Sequence, residues 1–239
     1  MQDNPLILAL DFAGIKEVEE FLENFPEDEL FLKVGMELFY KEGPAVVYRM
    51  KELGHRIFLD LKLHDIPNTV KSSMKVLGGL GCNLVNVHAA GGMEMMEAAL
   101  EGLEAGTPAG EARPACIAVT QLTSTTEENM RNQQLIPVSL EESVQHYANL
   151  AKQSGLDGVV CSAWEAAGIR KMLGKDFLTV TPGIRLSSDE VQDQKRVATP
   201  EFARSNQISA IVVGRPITRA ENPYKAYQTW LEAWKGAIV

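Results

Sequence analysis

The segment FLDLKLHDIPNTV (residues 58–70) begins as an apolar strand and ends in residues typical of a helix start. Asp60, Lys62 and Asp65 place two carboxylates and one ammonium group within six positions of it. Side chains alternate between the two faces of a strand, so Asp60 and Lys62 should share one face, while the leucines that follow each of them share the other. The segment therefore predicts a strand–helix unit with charged groups at the carboxyl end of the strand.

Units of this kind recur along the whole chain. Short apolar runs alternate with longer stretches whose apolar residues recur near a helical period. Eight such units in 239 residues give about 30 residues each, the size of a strand with its crossover helix. Near-continuous apolar strands are typical of a parallel sheet buried on both faces, and a closed barrel explains them better than an open doubly wound sheet. We therefore predict an α/β fold, a single-domain (β/α)8 TIM barrel over residues 1–239. The predicted strands are residues 6–10, 30–34, 56–61, 84–88, 115–120, 158–162, 178–181 and 210–214.

The composition restricts the partners and the compartment. The chain has 23 Lys and Arg against 32 Asp and Glu, a net charge of −9, which disfavours generic binding to nucleic acid or to an anionic membrane. Cys82, Cys116 and Cys161 are far apart in apolar runs, which predicts reduced core residues rather than a disulfide framework or a zinc site. The opening MQDNPLILALD lacks the basic region and the long apolar run of a signal peptide or membrane span. We expect a cytoplasmic protein without nucleic-acid or membrane partners.

Several predicted strands end in polar residues. Asp11 ends the first strand, Lys33 lies near the end of the second, His88 ends the fourth, and Thr120 closes the fifth shortly before Thr123. Each has a structural alternative, such as a helix cap for Asp11 or a solvated rim charge for Lys33. Their accumulation at the carboxyl ends of the strands, the face where barrel enzymes keep their active sites, nevertheless indicates a polar site.

Two glycine–arginine segments, VTPGIR and VVGRPI, follow the seventh and eighth strands. Barrels commonly build a phosphate site at this position from turns whose N–H groups point at the anion. Gly183 and Gly214 would supply the turns, and Arg185 and Arg215 would supply planar donors for phosphate oxygens. The segments predict a substrate that carries a phosphate.

The charged segment restricts the chemistry further. A lysine between two carboxylates is expected to keep its positive charge, so Lys62 suits the role of an acid or of a carbanion stabiliser better than that of a Schiff-base nucleophile. The structural alternative is a buried ion pair between Asp60 and Lys62, with Asp65 or Asn68 serving only as a helix cap.

These residues carry a family resemblance. DLKLHDIPNTV resembles the D-x-K-x-x-D-I signature of the orotidine 5′-phosphate decarboxylase family, in the form typical of its bacterial members. The segments LALD, FLKVG, VNVHAAGG, VTQLTS, VTPGIR, DQKRVATP and VVGRPIT are similar to family segments in the expected order. The resemblance implies a homodimeric (β/α)8 enzyme, without cofactor or metal, that converts orotidine 5′-monophosphate to uridine 5′-monophosphate and carbon dioxide in de novo pyrimidine synthesis.

The resemblance also implies catalytic roles. Lys62 would protonate C6 of the pyrimidine after carbon dioxide leaves, and Asp60 would lie beside the departing carboxylate. Asp65 would reach the active site of the neighbouring subunit. The implied catalytic tetrad is Lys33, Asp60, Lys62 and Asp65.

The implied substrate contacts divide among the three parts of the nucleotide. Asp11 and Lys33 would bind ribose hydroxyls, assisted by Thr69 of the partner subunit. Thr123 would meet the pyrimidine, and Pro182 matches a further motif position. The implied phosphate ligands are Arg185, Gln194, Gly214 and Arg215, with Gln194 arriving on a closing loop after the seventh strand.

Two alternatives stay open. A related phosphosugar enzyme, such as a 3-keto-gulonate 6-phosphate decarboxylase or a hexulose-phosphate synthase, shares the D-x-K-x-x-D framework and uses magnesium, for which oxygen ligands are available here. A catalytically silent nucleotide-binding barrel is the more distant alternative.

Overall fold

The computed structural model describes residues 4–186 and 198–236. Within these ranges eight parallel strands close into a barrel in sequence order, and the last strand pairs with the first. The predicted (β/α)8 barrel is thereby confirmed. The strands are β1 (Leu6–Leu10), β2 (Phe31–Gly35), β3 (Arg56–Leu63), β4 (Leu84–His88), β5 (Ala115–Val119), β6 (Gly158–Val160), β7 (Leu178–Pro182) and β8 (Ala210–Val213).

Helices fill the connections between the strands. The connection from β2 to β3 contains two helices, and the segment after β5 contains a short helix before the long one. The helices are α1 (Ile15–Leu22), α2 (Met36–Glu42), α3 (Ala45–Glu52), α4 (Pro67–Gly78), α5 (Met93–Gly106), α6 (Glu127–Gln133), α7 (Leu140–Gln153), α8 (Ala163–Leu173), α9 (Pro200–Ser205), α10 (Arg215–Thr218) and α11 (Pro223–Lys235), with a 3-10 turn at Ala89–Gly91.

Alternation along the strands builds two apolar layers. One set of side chains fills the barrel interior, including Ile7, Phe58 and Ile117. The alternate set, including Leu8 and Leu59, packs outward against the helices. The interior is therefore a packed core, and a ligand would bind at the carboxyl ends of the strands rather than inside the barrel.

The predicted strands agree with the observed ones to within two residues at each end. The strand at 56–61 is extended by two residues, because Leu63 pairs with Val87 of β4 beyond an irregularity in the ladder. The three cysteines lie in the core as predicted, and burial raises the pKa of the Cys82 and Cys116 thiols to about 12.

None of the helices in the described ranges has the length and apolar character that a membrane crossing requires.

Helices α4 and α5 approach each other through glycines. A Cβ atom added at Gly78 would lie 2.7 Å from the carbonyl oxygen of Leu103. One added at Gly102 would collide with the carbonyl oxygen of Lys71. Since these obstacles are backbone atoms, side-chain repacking cannot remove them. The close contact of the two helices therefore requires glycine at both positions.

We expect Gly102→Ala to lower the free energy of unfolding by about 1–3 kcal/mol, the usual cost of overpacking. Gly168→Ala in α8 is a matched control, because its new Cβ would lie at an ordinary 3.6 Å from Gln145 Nε2. The control should be neutral or more stable by up to about 1 kcal/mol, since alanine favours a helix over glycine. Urea unfolding followed by circular dichroism measures both changes, and equal stability of the two variants would contradict the close backbone approach.

Candidate active site

A cavity of about 200 Å³ opens among the carboxyl ends of the strands. Much of its wall consists of apolar side chains from the barrel interior, such as Phe58 and Val180. The structure brings five of the predicted site residues together on this wall. They are Lys33, Asp60, Lys62, Thr123 and Pro182.

Asp60 is buried in the cavity and contacts three polar side chains. Its Oδ1 accepts hydrogen bonds from Lys62 Nζ and Asn86 Nδ2, each at 2.7 Å, and its Oδ2 lies 3.5 Å from Lys33 Nζ. Burial raises the pKa of the Asp60 carboxyl, but the two ammonium groups and the two hydrogen bonds outweigh burial and hold that pKa below its usual value. The cavity therefore contains an ionised carboxylate between two cations.

Lys33 connects this carboxylate to the rim of the barrel. Its Nζ lies 3.3 Å from Asp11 Oδ1 and 3.5 Å from Asp60 Oδ2. The Lys33 side chain is 12% exposed and that of Asp11 is 54% exposed. Parallel pairing of β1 with β2 and of β2 with β3 makes the three residues neighbours. Alternating charges thus extend from the cavity to solvent.

Lys62 approaches Asp60 from an irregular part of β3. The register between β3 and β4 shifts between Leu59 and Leu63. Lys62 has a φ of 52° in this stretch, a left-handed conformation that costs a non-glycine residue roughly 1–2 kcal/mol. The predicted facing is confirmed, since Lys62 bonds to Asp60 while Leu61 and Leu63 pack in the outer layer. The sequence did not predict the left-handed backbone at Lys62, which lies just beyond the predicted strand at 56–61.

Asp65 and Thr69 lie outside the cavity of their own chain. Asp65 is exposed beyond β3, and its Oδ1 accepts a hydrogen bond from the Ile66 N–H at 2.7 Å. Thr69 is exposed in the first turn of α4. Neither side chain lines the wall that Lys33, Asp60 and Lys62 share.

The two glycine–arginine segments leave the barrel side by side, since Pro182 of β7 pairs with Val212 of β8. Gly183 has a φ of 78°, a conformation that favours glycine. Gly214 lies close to the carboxylate of Asp11, because a Cβ added there would lie 3.3 Å from Asp11 Oδ2. The segment after β8 therefore reaches the rim of the cavity at the ribose side of the predicted site.

The arginines of these segments differ in burial. Arg185 is 9% exposed, and its Nη1 donates to the Ile184 carbonyl at 2.7 Å. Arg215 is half-buried as the first residue of α10. Gln194, the remaining predicted phosphate ligand, lies outside the described residues.

Two buried amides of the site were not predicted from the sequence. Gln121 lines the cavity beside Thr123, and its Nε2 donates to Gln134 Oε1 at 3.1 Å and to Ser143 Oγ at 3.2 Å. Asn86 donates to Asp60 and accepts from the Lys62 backbone. The signal for Asn86 was its place two residues before His88, on the same face of β4.

His88 borders the charged cluster. Its ring centroid lies 5.5 Å from that of His64. Burial lowers the pKa of His88, as do the charges of His64 and Lys62, while Asp60 opposes them. Within residues 4–186 and 198–236, no three His, Cys, Asp or Glu side chains are grouped so that they could hold a metal ion.

A larger recess, about 580 Å³, lies at the opposite end of the barrel, before β2 and β3. It carries an excess of negative charge, which is unfavourable for an anionic substrate. Its carboxylates are Glu19, Glu23, Glu27, Asp28 and Glu29.

The closed barrel and the lysine–carboxylate cluster at its strand ends define a TIM-barrel enzyme. Comparison with known families specifies it further. The model of the orotidine 5′-phosphate decarboxylase / HUMPS family matches residues 4–230, and the chain belongs to this family.

Relatives named orotidine 5′-phosphate decarboxylase are similar over nearly the whole chain. The protein of Bacillus cytotoxicus is 63% identical over 234 residues, which are 98% of this chain and 98% of that protein. The protein of Bacillus mycoides is 62% identical over the same shares.

Solved structures agree with the fold. Orotidine 5′-phosphate decarboxylase from Lactobacillus acidophilus superposes with a TM-score of 0.88 at 44% identity, covering 98% of this chain and 100% of that one. An uncharacterized conserved protein from Geobacillus kaustophilus superposes with a TM-score of 0.87 at 55% identity, covering 96% and 100%.

We expect the stability advantage of the wild-type protein over Asp60→Asn to shrink in acid. Because the pKa of Asp60 is lowered in the folded protein, its ionised form stabilises the fold above the pKa of an unfolded aspartate, about 3.9. This contribution is lost as the pH falls through the lowered folded value. Urea unfolding of both proteins between pH 7 and about pH 3.5 measures the difference. A difference that stays constant over this range would contradict an Asp60 pKa below the usual value.

Proposed function

We propose that this protein decarboxylates orotidine 5′-monophosphate to uridine 5′-monophosphate and carbon dioxide, a step of pyrimidine nucleotide biosynthesis. The observation that carries the proposal is the Lys62 ammonium group, 2.7 Å from the Asp60 carboxylate in a cavity at the strand ends. Support comes from relatives at 62–63% identity that bear the name of this activity.

The chemistry follows from a charge that moves to carbon. Breaking the bond between C6 and the carboxylate releases carbon dioxide and leaves the electron pair on C6. A fixed cation beside C6 stabilises this developing negative charge more than it stabilises the substrate before the bond between C6 and its carboxylate breaks. Lys62 then transfers a proton from Nζ to C6, and solvent restores the proton to Lys62. The residues supply both cation and proton, so we propose that neither a metal nor another cofactor takes part.

Asp60 has two tasks in this proposal. It holds the Lys62 ammonium group by a 2.7 Å hydrogen bond, which fixes the direction of the proton donor. Its ionised carboxylate would also lie beside the departing carboxylate of the substrate, and repulsion between them would be relieved as carbon dioxide leaves. Stabilisation of the carbanion by Lys62 is the larger effect in this proposal.

The rest of the nucleotide would be bound along the strand ends. Asp11 and Lys33, 3.3 Å apart at the rim, suit two ribose hydroxyls, because a carboxylate accepts and an ammonium group donates hydrogen bonds. Thr123 and Pro182 would border the pyrimidine, since both line the cavity beside Lys62. We assign the phosphate to Arg185, Gln194, Gly214 and Arg215.

We further propose a homodimer in which Asp65 and Thr69 complete the active site of the partner subunit. Their exposure, outside the cavity of their own chain, supports this arrangement. Ile66 between them is 67% exposed, an apolar side chain that a subunit contact would cover. Residues 1–239 would form the single catalytic domain of each subunit.

Lys62→Ala should leave a folded protein with turnover reduced at least about 10³-fold, since the variant lacks both the cation and the proton donor. The measurement is the fall in ultraviolet absorbance as orotidine 5′-monophosphate is consumed, with a chelator present. Lys16→Ala is the matched control, because the Lys16 side chain is 88% exposed on α1, and it should retain wild-type turnover.

The outcomes of this experiment separate the alternatives. Near-normal turnover by Lys62→Ala would refute the mechanism. If the wild-type protein is inactive on orotidine 5′-monophosphate but acts on phosphosugars once magnesium is restored, it is a phosphosugar enzyme. Tight binding of uridine 5′-monophosphate without turnover would identify a nucleotide-binding barrel.

Arg215→Ala should lower kcat/KM about 10- to 100-fold, the effect of losing hydrogen bonds to a charged group, although Arg215 would touch no reacting atom. Remote phosphate contacts contribute to catalysis because their binding energy positions the reacting centre. Arg219→Ala is the control, since Arg219 is exposed just after the end of α10. Steady-state kinetics decide the assignment, and equal kcat/KM for both variants would remove Arg215 from the phosphate site.

A further inference from the structure

Strand β3 carries surplus residues where it presents Lys62. Leu59 pairs with Val85 of β4, and the next pair is Leu63 with Val87. Three residues of β3 therefore lie opposite one residue of β4, which is Asn86. Such an irregularity leaves backbone groups without their usual partner in the ladder.

The side chain of Asn86 occupies this gap. Its Oδ1 accepts a hydrogen bond from the Lys62 backbone N–H at 2.8 Å, and its Nδ2 donates to Asp60 Oδ1 at 2.7 Å. The two partners also determine the orientation of the amide, because an N–H needs an acceptor and a carboxylate needs a donor. With 1% of its surface exposed, Asn86 is closed off from water that could replace these bonds.

Both bonds act on the proposed reacting groups. Lys62 is held with a φ of 52°, a conformation that a lysine adopts only when its surroundings enforce it. If the backbone relaxed towards an extended strand, the Lys62 side chain would point in a different direction. The second bond limits rotation of Asp60, the carboxylate to which Lys62 Nζ is bonded.

We propose that Asn86 is a positioning residue for the decarboxylation, holding the Lys62 backbone and the Asp60 carboxylate so that the ammonium group points at C6. The inference rests on the proposed function. A displacement of about 1 Å at a reacting group can reduce the rate about 10²-fold, so loss of Asn86 should act on the chemical step while the phosphate and ribose contacts remain.

The chain supplies a control in Asn83, the exposed residue just before β4. Asn83 Oδ1 accepts a hydrogen bond from the Ile57 N–H at 2.8 Å, at the amino end of β3 and away from the cavity. Asn83→Ala and Asn86→Ala each remove an asparagine bond to a β3 backbone N–H. Only Asn86→Ala alters the presentation of Lys62.

The experiment compares both variants with the wild-type protein in kcat, KM, binding of uridine 5′-monophosphate and urea unfolding. We expect Asn86→Ala to lower kcat about 10²-fold while KM and product affinity stay within about threefold, a change of less than 1 kcal/mol in binding free energy. Asn83→Ala should keep kcat within about threefold of the wild type on the same scale. Asn86→Leu, which keeps the number and branching of the side-chain heavy atoms, repeats the test without a cavity.

Each outcome bears on the inference. Turnover by Asn86→Ala and Asn86→Leu equal to that of Asn83→Ala would overturn it while leaving the proposed function in place, as would a rise in KM at constant kcat. Failure of both Asn86 variants to fold, with Asn83→Ala folded, would overturn it in favour of a purely structural asparagine. A folded wild-type protein without activity on orotidine 5′-monophosphate would overturn the proposed function and the inference together.

Discussion

When a carboxylate and an ammonium group are both largely buried, they must contact each other to compensate for the lost hydration. In this barrel the pair is Asp60 and Lys62. Electrostatic interactions strengthen where water is excluded, so apolar walls such as Phe58 and Val180 make the pair more than a surface ion pair. Lys33 adds a second cation on the far oxygen of the same carboxylate. The left-handed backbone of Lys62 is understandable as the conformation that brings the pair together.

The charged groups are mounted mainly on strands, whose neighbours restrict them on both sides. Rigid elements hold reacting groups more accurately than loops do. Lys33 and Asp60 belong to adjacent strands of a closed sheet, and Lys62 lies two residues beyond Asp60. The groups proposed for the phosphate follow β7 and β8 instead. In this arrangement the strands carry the reacting groups and the loops after the strands carry the groups that bind the substrate, a division common in barrels.

Most of the fold and the centre of the site could be predicted from sequence, because strand alternation and helical period are local properties of the chain. The same alternation placed Asp60 and Lys62 together. It could not predict the register shift at Lys62, since lysine is not a residue that signals a left-handed conformation. Asn86 was missed because one amide in an apolar strand is ambiguous until its partners are known. The roles of Asp65 and Thr69 depended on family resemblance, as periodicity within one chain carries no information about another subunit.

The glycine contact between α4 and α5 has a consequence for how this sequence can diverge. Gly78 and Gly102 face carbonyl oxygens, so a neighbouring substitution cannot compensate for an added methyl group in the way that core side chains compensate for one another. Helix α4 begins two residues after Asp65, and its axis therefore sets where that carboxylate is presented. A substitution at either glycine would therefore shift α4, and with it the exposed carboxylate of Asp65, although neither glycine lies in a strand of the barrel.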